Sequence, residues 1–192
     1  MKTIEIVGSL RKDLGKKATK ALRKAGNVPC IVYGGKENVN FFASEPDFKN
    51  LVYTPNVYIV KLSIEGKVYS AIMKEIQFHP VSDKILHIDF VEIAEDKAIE
   101  ITIPVRTVGS SIGVKKGGKL SLAKRGLKVK ALAKYLPDVL EVNIETLDVG
   151  QSVKVGNLNY ENITILNGSR EPVVSILSSR LTAKANEEAT KK

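Results

Sequence analysis

The sequence predicts a mainly β chain in two parts, and three observations carry that prediction. Runs of alternating apolar and polar residues recur from Thr3 onward, the period of half-buried strands. In the second half, Gly109, Gly113, Gly117-Gly118, Gly126, Pro137, Gly150, Gly156 and Gly168 separate short strand-like runs, the spacing of an all-β unit. One stretch departs from the period of two: Ala18, Ala21, Leu22 and Ala25 fall at i, i+3, i+4 and i+7, the spacing of a single short helix.

In chain order, Thr3 to Leu10 is expected as a strand leading into the helix, which Gly26 and Asn27 stop and Pro29 keeps from continuing. Val28 to Tyr33 follows as a strand ending at Gly34-Gly35, where the backbone can turn tightly, and Val39 to Ala43 is another. Ser44-Glu45-Pro46-Asp47 has the form of a helix start with Ser44 as N-cap, cut short before Pro55. Val57 to Ile64 and Val68 to Ile76 form a hairpin through Glu65-Gly66-Lys67. Gln77 and His79 are expected on one side of their strand. After a turn through Ser82 and Asp83, alternation in Lys84 to Ile93 sets Leu86, Ile88 and Phe90 on one face and Ile85, His87, Asp89 and Val91 on the other.

Glu95-Asp96-Lys97 has no packed apolar content and marks a joint, giving units over 1–94 and 95–181. Ile99 to Val108, Leu127 to Ala133, Val139 to Ile144, Ser152 to Val155, Ile163 to Leu166 and Val173 to Leu177 are the strands of the second unit. The last segment, 182–192, holds no large apolar residue and is expected to be a disordered tail.

Charge narrows the function. The chain has 192 residues and a net charge of +9, with 43% hydrophobic residues, enough for folded cores. Between Arg11 and Lys24, seven cations face the single acid Asp13, a local charge of +6. Turning about 100° per residue, Lys16, Lys17, Lys20, Arg23 and Lys24 land opposite the alanine stripe, a cationic face without acids. Like charges on one face cost stability that a polyanion restores. The alternative is a solvated surface helix, but such faces usually mix signs. An anionic membrane suits this helix poorly, since it carries one Leu and no aromatic to insert. A second basic cluster, Lys115, Lys116, Lys119, Lys124, Arg125, Lys128 and Lys130, has glycines that suggest a loop or loose hairpin, able to order on rRNA or simply to solubilise. Without a long apolar run or a signal-peptide pattern, the expected location is the cytoplasm. The lone Cys30, set in PCIVY, fits a buried structural thiol in a reducing compartment.

Catalytic readings fare worse. Gly8 and Gly15-Lys16 are spaced six residues apart and followed by Lys17, which rules out a phosphate-binding loop of the triphosphatase type. His79, His87 and Asp89 are chemically able to ligate a metal, so a metal-dependent hydrolase is a remote alternative, but no HxxxH or CxxC spacing supports it. The same His87 and Asp89 suit RNA: imidazole reaches phosphate or a 2′-hydroxyl and stacks, and carboxylate accepts from amines and hydroxyls. Tyr33 beside Gly34-Gly35 either stacks on a base or fills the core.

RKDLGKKATKALRKAGNVPCIVYGGK, QFHP and HIDFVEI, in that order, closely resemble the N-terminal domain of the bacterial large-subunit ribosomal protein L twenty-five family, whose members bind 5S rRNA. IPVRTVGSSIGVKKGGKLSL and YLPDVLEVNIETLDVGQSVKVGNL resemble the second domain of its long form, the general stress protein CTC type. The resemblance spans about residues 3–180. It implies a six-stranded β-barrel, a mostly β second domain and no catalytic activity or cofactor. It further implies a cytoplasmic protein, monomeric when free, that joins 5S rRNA and the large subunit, with the second domain reaching neighbouring ribosomal proteins. An RNA-binding stress protein or chaperone not permanently on the ribosome is the alternative. Carried over by position, Arg11, Lys16, Lys20 and Arg23 fall where the family contacts phosphates, with Thr19 a small hydroxyl nearby. Tyr33, Gln77, His79, His87 and Asp89 fall at its other RNA-facing positions. Ala21 and Phe78 depart from the pattern, standing where many relatives are basic; Phe78 is expected on the apolar face.

Overall fold

The computed structural model describes residues 2–35, 37–94 and 97–178. Its described residues divide into a first unit of residues up to Glu100 with Leu132–Asp138, and a second of Ile101–Ala131 and residues from Val139 on. The expected joint at Glu95-Asp96 and the expected tail lie outside the described residues.

The first unit carries β1 (Lys2–Leu10), α1 (Lys16–Lys24), β2 (Asn27–Tyr33) and β3 (Val39–Ser44). A 3-10 turn over Glu45–Phe48 runs into α2 (Lys49–Val52), followed by β4 (Tyr58–Ile64), β5 (Lys67–Phe78) and β6 (Ile85–Glu92). The six strands close into a barrel in the order β1-β3-β2-β6-β5-β4. Parallel pairing of β1 with β4 shuts it, and β2 with β6 is its other parallel pair. Closure leaves no edge strand to be protected.

Alternation explains the core. Inward positions of each strand supply Val28, Cys30 and Val32, Phe41, Val60 and Leu62, Ala71, and Ile88 and Phe90. The Phe90 ring lies 5.8 Å from that of Phe41 and 6.3 Å from that of Phe48, so the short helical segment plugs the barrel with an aromatic. Gly8 makes room for this: a Cβ there would stand 2.6 Å from Phe41 Cδ2. Cys30 is fully buried, and burial pushes its thiol far above the ordinary range.

Several expectations need correction here. Ser44 precedes the 3-10 turn in extended conformation, but its side chain makes no cap hydrogen bond. Phe78 is exposed, and Ile85 is buried while Leu86 is only partly so. Phe78 is the last residue of β5, and for Ile85 the physical reason is a bulge: Gln77 pairs with His87 but Phe78 pairs with Ile85, which leaves Leu86 as an extra residue on β6. An extra residue turns the chain over, so Ile85 faces the core although His87 two places on faces out. In α1, Ala18 and Leu22 are half-buried, whereas Ala21 and Ala25 stay exposed along an open groove shared with Leu10 and Phe42. The helix seats on half of its stripe.

The second unit contains β7 (Ala98–Val108), α3 (Ile112–Lys115), β8 (Lys119–Leu122), β9 (Gly126–Leu132), β10 (Leu140–Asn143), β11 (Ser152–Lys154), β12 (Thr164–Ile165) and β13 (Pro172–Leu177). They form one sheet in the order β10-β7-β9-β12 and another in the order β11-β13-β8. Ile103, Leu127, Leu140, Val173 and Ile176 fill its interior. Ser111 is buried, accepts from the Val114 amide at 3.2 Å and donates to the Leu147 carbonyl at 3.0 Å, so it caps α3 and ties it down at once. The basic stretch expected as a loop or loose hairpin is thus α3, β8 and the start of β9.

Candidate nucleic-acid interface

Helix α1 begins without help. Gly15 offers no side-chain cap and the first turn holds no acid, only Lys16 and Lys17 against the positive end of the helix dipole. The compensation comes from a neighbour: Arg11 donates to Thr19 Oγ1 at 3.1 Å, and that hydroxyl donates to the Gly15 carbonyl at 2.7 Å. Arg11 is itself fixed to the sheet, its amide donating to the Asn40 carbonyl at 2.9 Å. Arg11, expected to face phosphate, and Thr19, the hydroxyl expected nearby, therefore also pin the helix start to the barrel. At the other end Gly26, at φ +80°, reverses the chain in the left-handed region, and Arg23 and Lys24 suit the negative end of the dipole.

Lys16, Lys17, Lys20, Arg23 and Lys24 are exposed, and among the described residues none of them forms an ion pair. Arg23 reaches the barrel: its Nε donates to the Leu86 carbonyl at 3.0 Å. Leu86 is the residue that the β5–β6 register skips, so the helix meets the sheet at its irregularity. Around this contact lies an open groove of about 440 Å3, lined among others by Lys20, Arg23, Lys24, His79 and Lys84.

The next residue, His87, starts the polar face of the sheet. Its Nδ1 stands 2.6 Å from Asp89 Oδ1, both side chains about one quarter exposed. The contact fixes the ring against the carboxylate and leaves Nε2 for a further partner. Across the ladder, Gln77 pairs with His87 and Glu75 with Asp89. Tyr33, on the other neighbour of β6, is half-buried; burial first, then the negative charges of Asp89 and Glu75, hold its phenol above the usual range. It stays a neutral donor at neutral pH. The surface thus combines a cationic ridge with a fixed imidazole–carboxylate pair (His87 and Asp89) and the neighbouring Glu75, Gln77 and Tyr33.

His79 does not share a strand face with Gln77. It follows the end of β5 in a turn, where its Nδ1 accepts from the amides of Val81 and Ser82, each at 3.3 Å. Its ring lines the groove beside the helix instead. His79 and His87 are therefore committed to different partners, and no cluster of three His, Cys, Asp or Glu side chains able to hold a metal occurs among the described residues. Glu75 and Lys84 belong to this surface without having been singled out from the sequence. Glu75 had a signal, since it shares the parity of Gln77 on β5; Lys84 had none, because only folding brings its turn to α1.

Comparison with known proteins places the chain among ribosomal proteins rather than enzymes. Residues 6–90 match the Ribosomal L25p family, and residues 98–180 match the family described as Ribosomal protein TL5, C-terminal domain. A relative from Porphyromonas gingivalis, named large ribosomal subunit protein bL25, is 44% identical over 194 residues and covers 100% of both chains. Relatives of the same name from Phocaeicola vulgatus (46%, covering 94% of each chain) and Amoebophilus asiaticus (48%, covering 94% of this chain and 92% of that one) agree. The chain belongs to the ribosomal L25p family. Among its described residues no helix is long and apolar enough to cross a membrane.

Proposed function

We propose that this protein is a structural constituent of the large ribosomal subunit whose barrel unit, residues 1–94, binds 5S rRNA and whose residues 95–181 form a second domain. The observation that carries the reading is the junction of two surfaces: the unpaired cations of α1 meet the Tyr33, Gln77, His87 and Asp89 face through the Arg23–Leu86 hydrogen bond. The ridge of Lys16, Lys20 and Arg23, with Arg11 behind it and His79 beside it, faces phosphates and fixes position. The sheet face reads shape: His87 Nε2 and Asp89 accept from 2′-hydroxyls or exocyclic amines across a shallow minor groove, and Tyr33 donates or stacks.

The test is a hydroxyl-radical footprint of 5S rRNA with the full chain, combined with a salt titration. About five neutralised phosphates give a slope of log affinity on log salt near −4. Protection of one continuous helical face, weakened by Lys16→Glu with Lys20→Glu, is expected. A slope near −1, or 5S rRNA reactivity unchanged by the protein, refutes the reading. Asp89→Ala is expected to erode preference for 5S rRNA over an unrelated duplex while leaving the slope intact.

A further inference from the structure

The turn between β5 and β6 is built around one side chain. The His79 amide donates to the Lys84 carbonyl at 2.8 Å and the Asp83 amide to the His79 carbonyl at 3.0 Å, while the amides of Val81 and Ser82 both donate to His79 Nδ1. Pro80 restricts the backbone between them, and Asp83 takes φ +52°, a left-handed conformation that Asp tolerates better than most residues. These bonds hold an exposed turn in one shape. An amide donates only to a lone pair, so Nδ1 is unprotonated and the neutral ring carries its hydrogen on Nε2, away from the amides of the turn. Lys84 is fixed at the end of the turn, exposed and without an ion pair among the described residues.

The groove of about 440 Å3 sets this turn against α1. Lys20, Arg23 and Lys24 line it from the helix, Lys84 and His79 line it from the turn, and Glu45 is its one acid. Four cations against one carboxylate leave a formal charge of +3 in a single cleft. A solvated surface has no need of cations converging from two elements. A phosphodiester does, since its two non-bridging oxygens accept from both sides at once.

We propose that the turn from His79 to Lys84 is the second jaw of a phosphate clamp. Lys84 Nζ and His79 Nε2–H engage RNA backbone phosphates that Lys20, Arg23 and Lys24 engage from the helix side. The inference rests on the RNA-binding reading of the barrel, and adds to it Lys84 and the donor role of the His79 ring. The neutral imidazole N–H fixes the phosphate's position and the ammonium supplies charge, without reading the base.

The experiment uses the full chain and labelled 5S rRNA, with affinity measured over a salt series and phosphate-ethylation interference read along the RNA. Lys84→Gln should make the slope of log affinity on log salt shallower by about 0.9 and relieve interference at one phosphate. Lys84→Arg, which keeps the charge, should behave as the parent in both. His79→Asn keeps a side-chain acceptor for the turn amides but removes the Nε2 donor, so affinity should fall about tenfold with the slope unmoved. Lys67→Gln, which removes the same charge at the opposite end of β5, should change neither quantity. Thermal melts establish that each variant is folded.

The inference is overturned if folded Lys84→Gln keeps the parent's slope and interference pattern, or if Lys67→Gln matches its effect, which would make net charge rather than the groove the cause. His79→Asn binding as tightly as the parent would remove the ring from the clamp. Failure of the underlying barrel reading looks different because it appears in the parent itself, as a slope near −1 with no phosphate showing interference.

Discussion

Arg23 performs two tasks that two substitutions separate. Its Nε–H donates to the carbonyl of the β6 bulge residue Leu86, holding α1 against the strand that bears His87 and Asp89. Its charge and remaining N–H groups face the groove shared with Lys20, His79 and Lys84. Arg23→Ala removes both, so the salt slope for 5S rRNA should become shallower by about 0.9, one phosphate's worth. The lost hydrogen bond, exposed and made by a charged donor, should cost about 1 kcal/mol of stability. That corresponds to about 4–8 °C in the melting of a unit near 100 residues. Arg23→Lys keeps the charge but lacks the planar fork that bridges carbonyl and groove. It should leave the slope unchanged, yet lower affinity about fivefold for about 1 kcal/mol of lost positioning. Fluorescence anisotropy with 5S rRNA at five or more salt concentrations, alongside calorimetric melts, reads both quantities. If Arg23→Lys binds as the parent does, or if Arg23→Ala leaves the slope unmoved, α1 and the sheet face are not coupled through this contact.

Three further outcomes follow from the fold. Gly8→Ala places a Cβ 2.6 Å from the buried Phe41 ring, so the barrel should lose about 1–3 kcal/mol by overpacking, measured by urea denaturation. Cys30, fully buried with its thiol pushed up by desolvation, should resist a chromogenic disulfide reagent at pH 8 until the protein is unfolded, and native-state labelling at full rate would contradict the packing. Asp148 and Glu171 have carboxyls lowered by Lys116 and Lys124, so the unfolded chain binds their protons more readily than the folded one. Their contribution is complete above the ordinary carboxylate pKa of about 4 and is lost as pH falls through the depressed folded values. Melting of the second unit should therefore hold steady from pH 7 to about 5 and decline below about 4, less steeply in Asp148→Asn.

Strands were legible wherever alternation ran long. From β1 to β7, and again in β9 and β13, inward apolar residues mark the run, and the closed barrel or the core of the second unit buries them in turn. The hairpin was legible from chemistry, since Glu65 at φ +47° and Gly66 at φ +83° take the conformations that a two-residue turn demands. β8 escaped because Lys119-Leu120-Ser121-Leu122 is only one period longer than chance, and its surrounding lysines and glycines resemble a loop. Its strand character comes from pairing with β13, a partner some fifty residues away in sequence, and local propensity holds no trace of that pairing.

The site shows the same limit in a sharper form. That His87 and Asp89 share a face follows from the period of two, and the 2.6 Å contact needs nothing more. Which neighbours join them does not follow. Counting parity through the bulge placed Ile85 beside His87, and that assignment inverts because Leu86 is left over in the ladder. The carbonyl of Leu86 accepts from Arg23, which holds the cationic helix alongside the imidazole–carboxylate pair. A one-residue irregularity, invisible to any periodic reading, thereby decides that the ridge and the polar face adjoin. Without that hydrogen bond α1 would lose the contact that sets its lysines at the edge of that face.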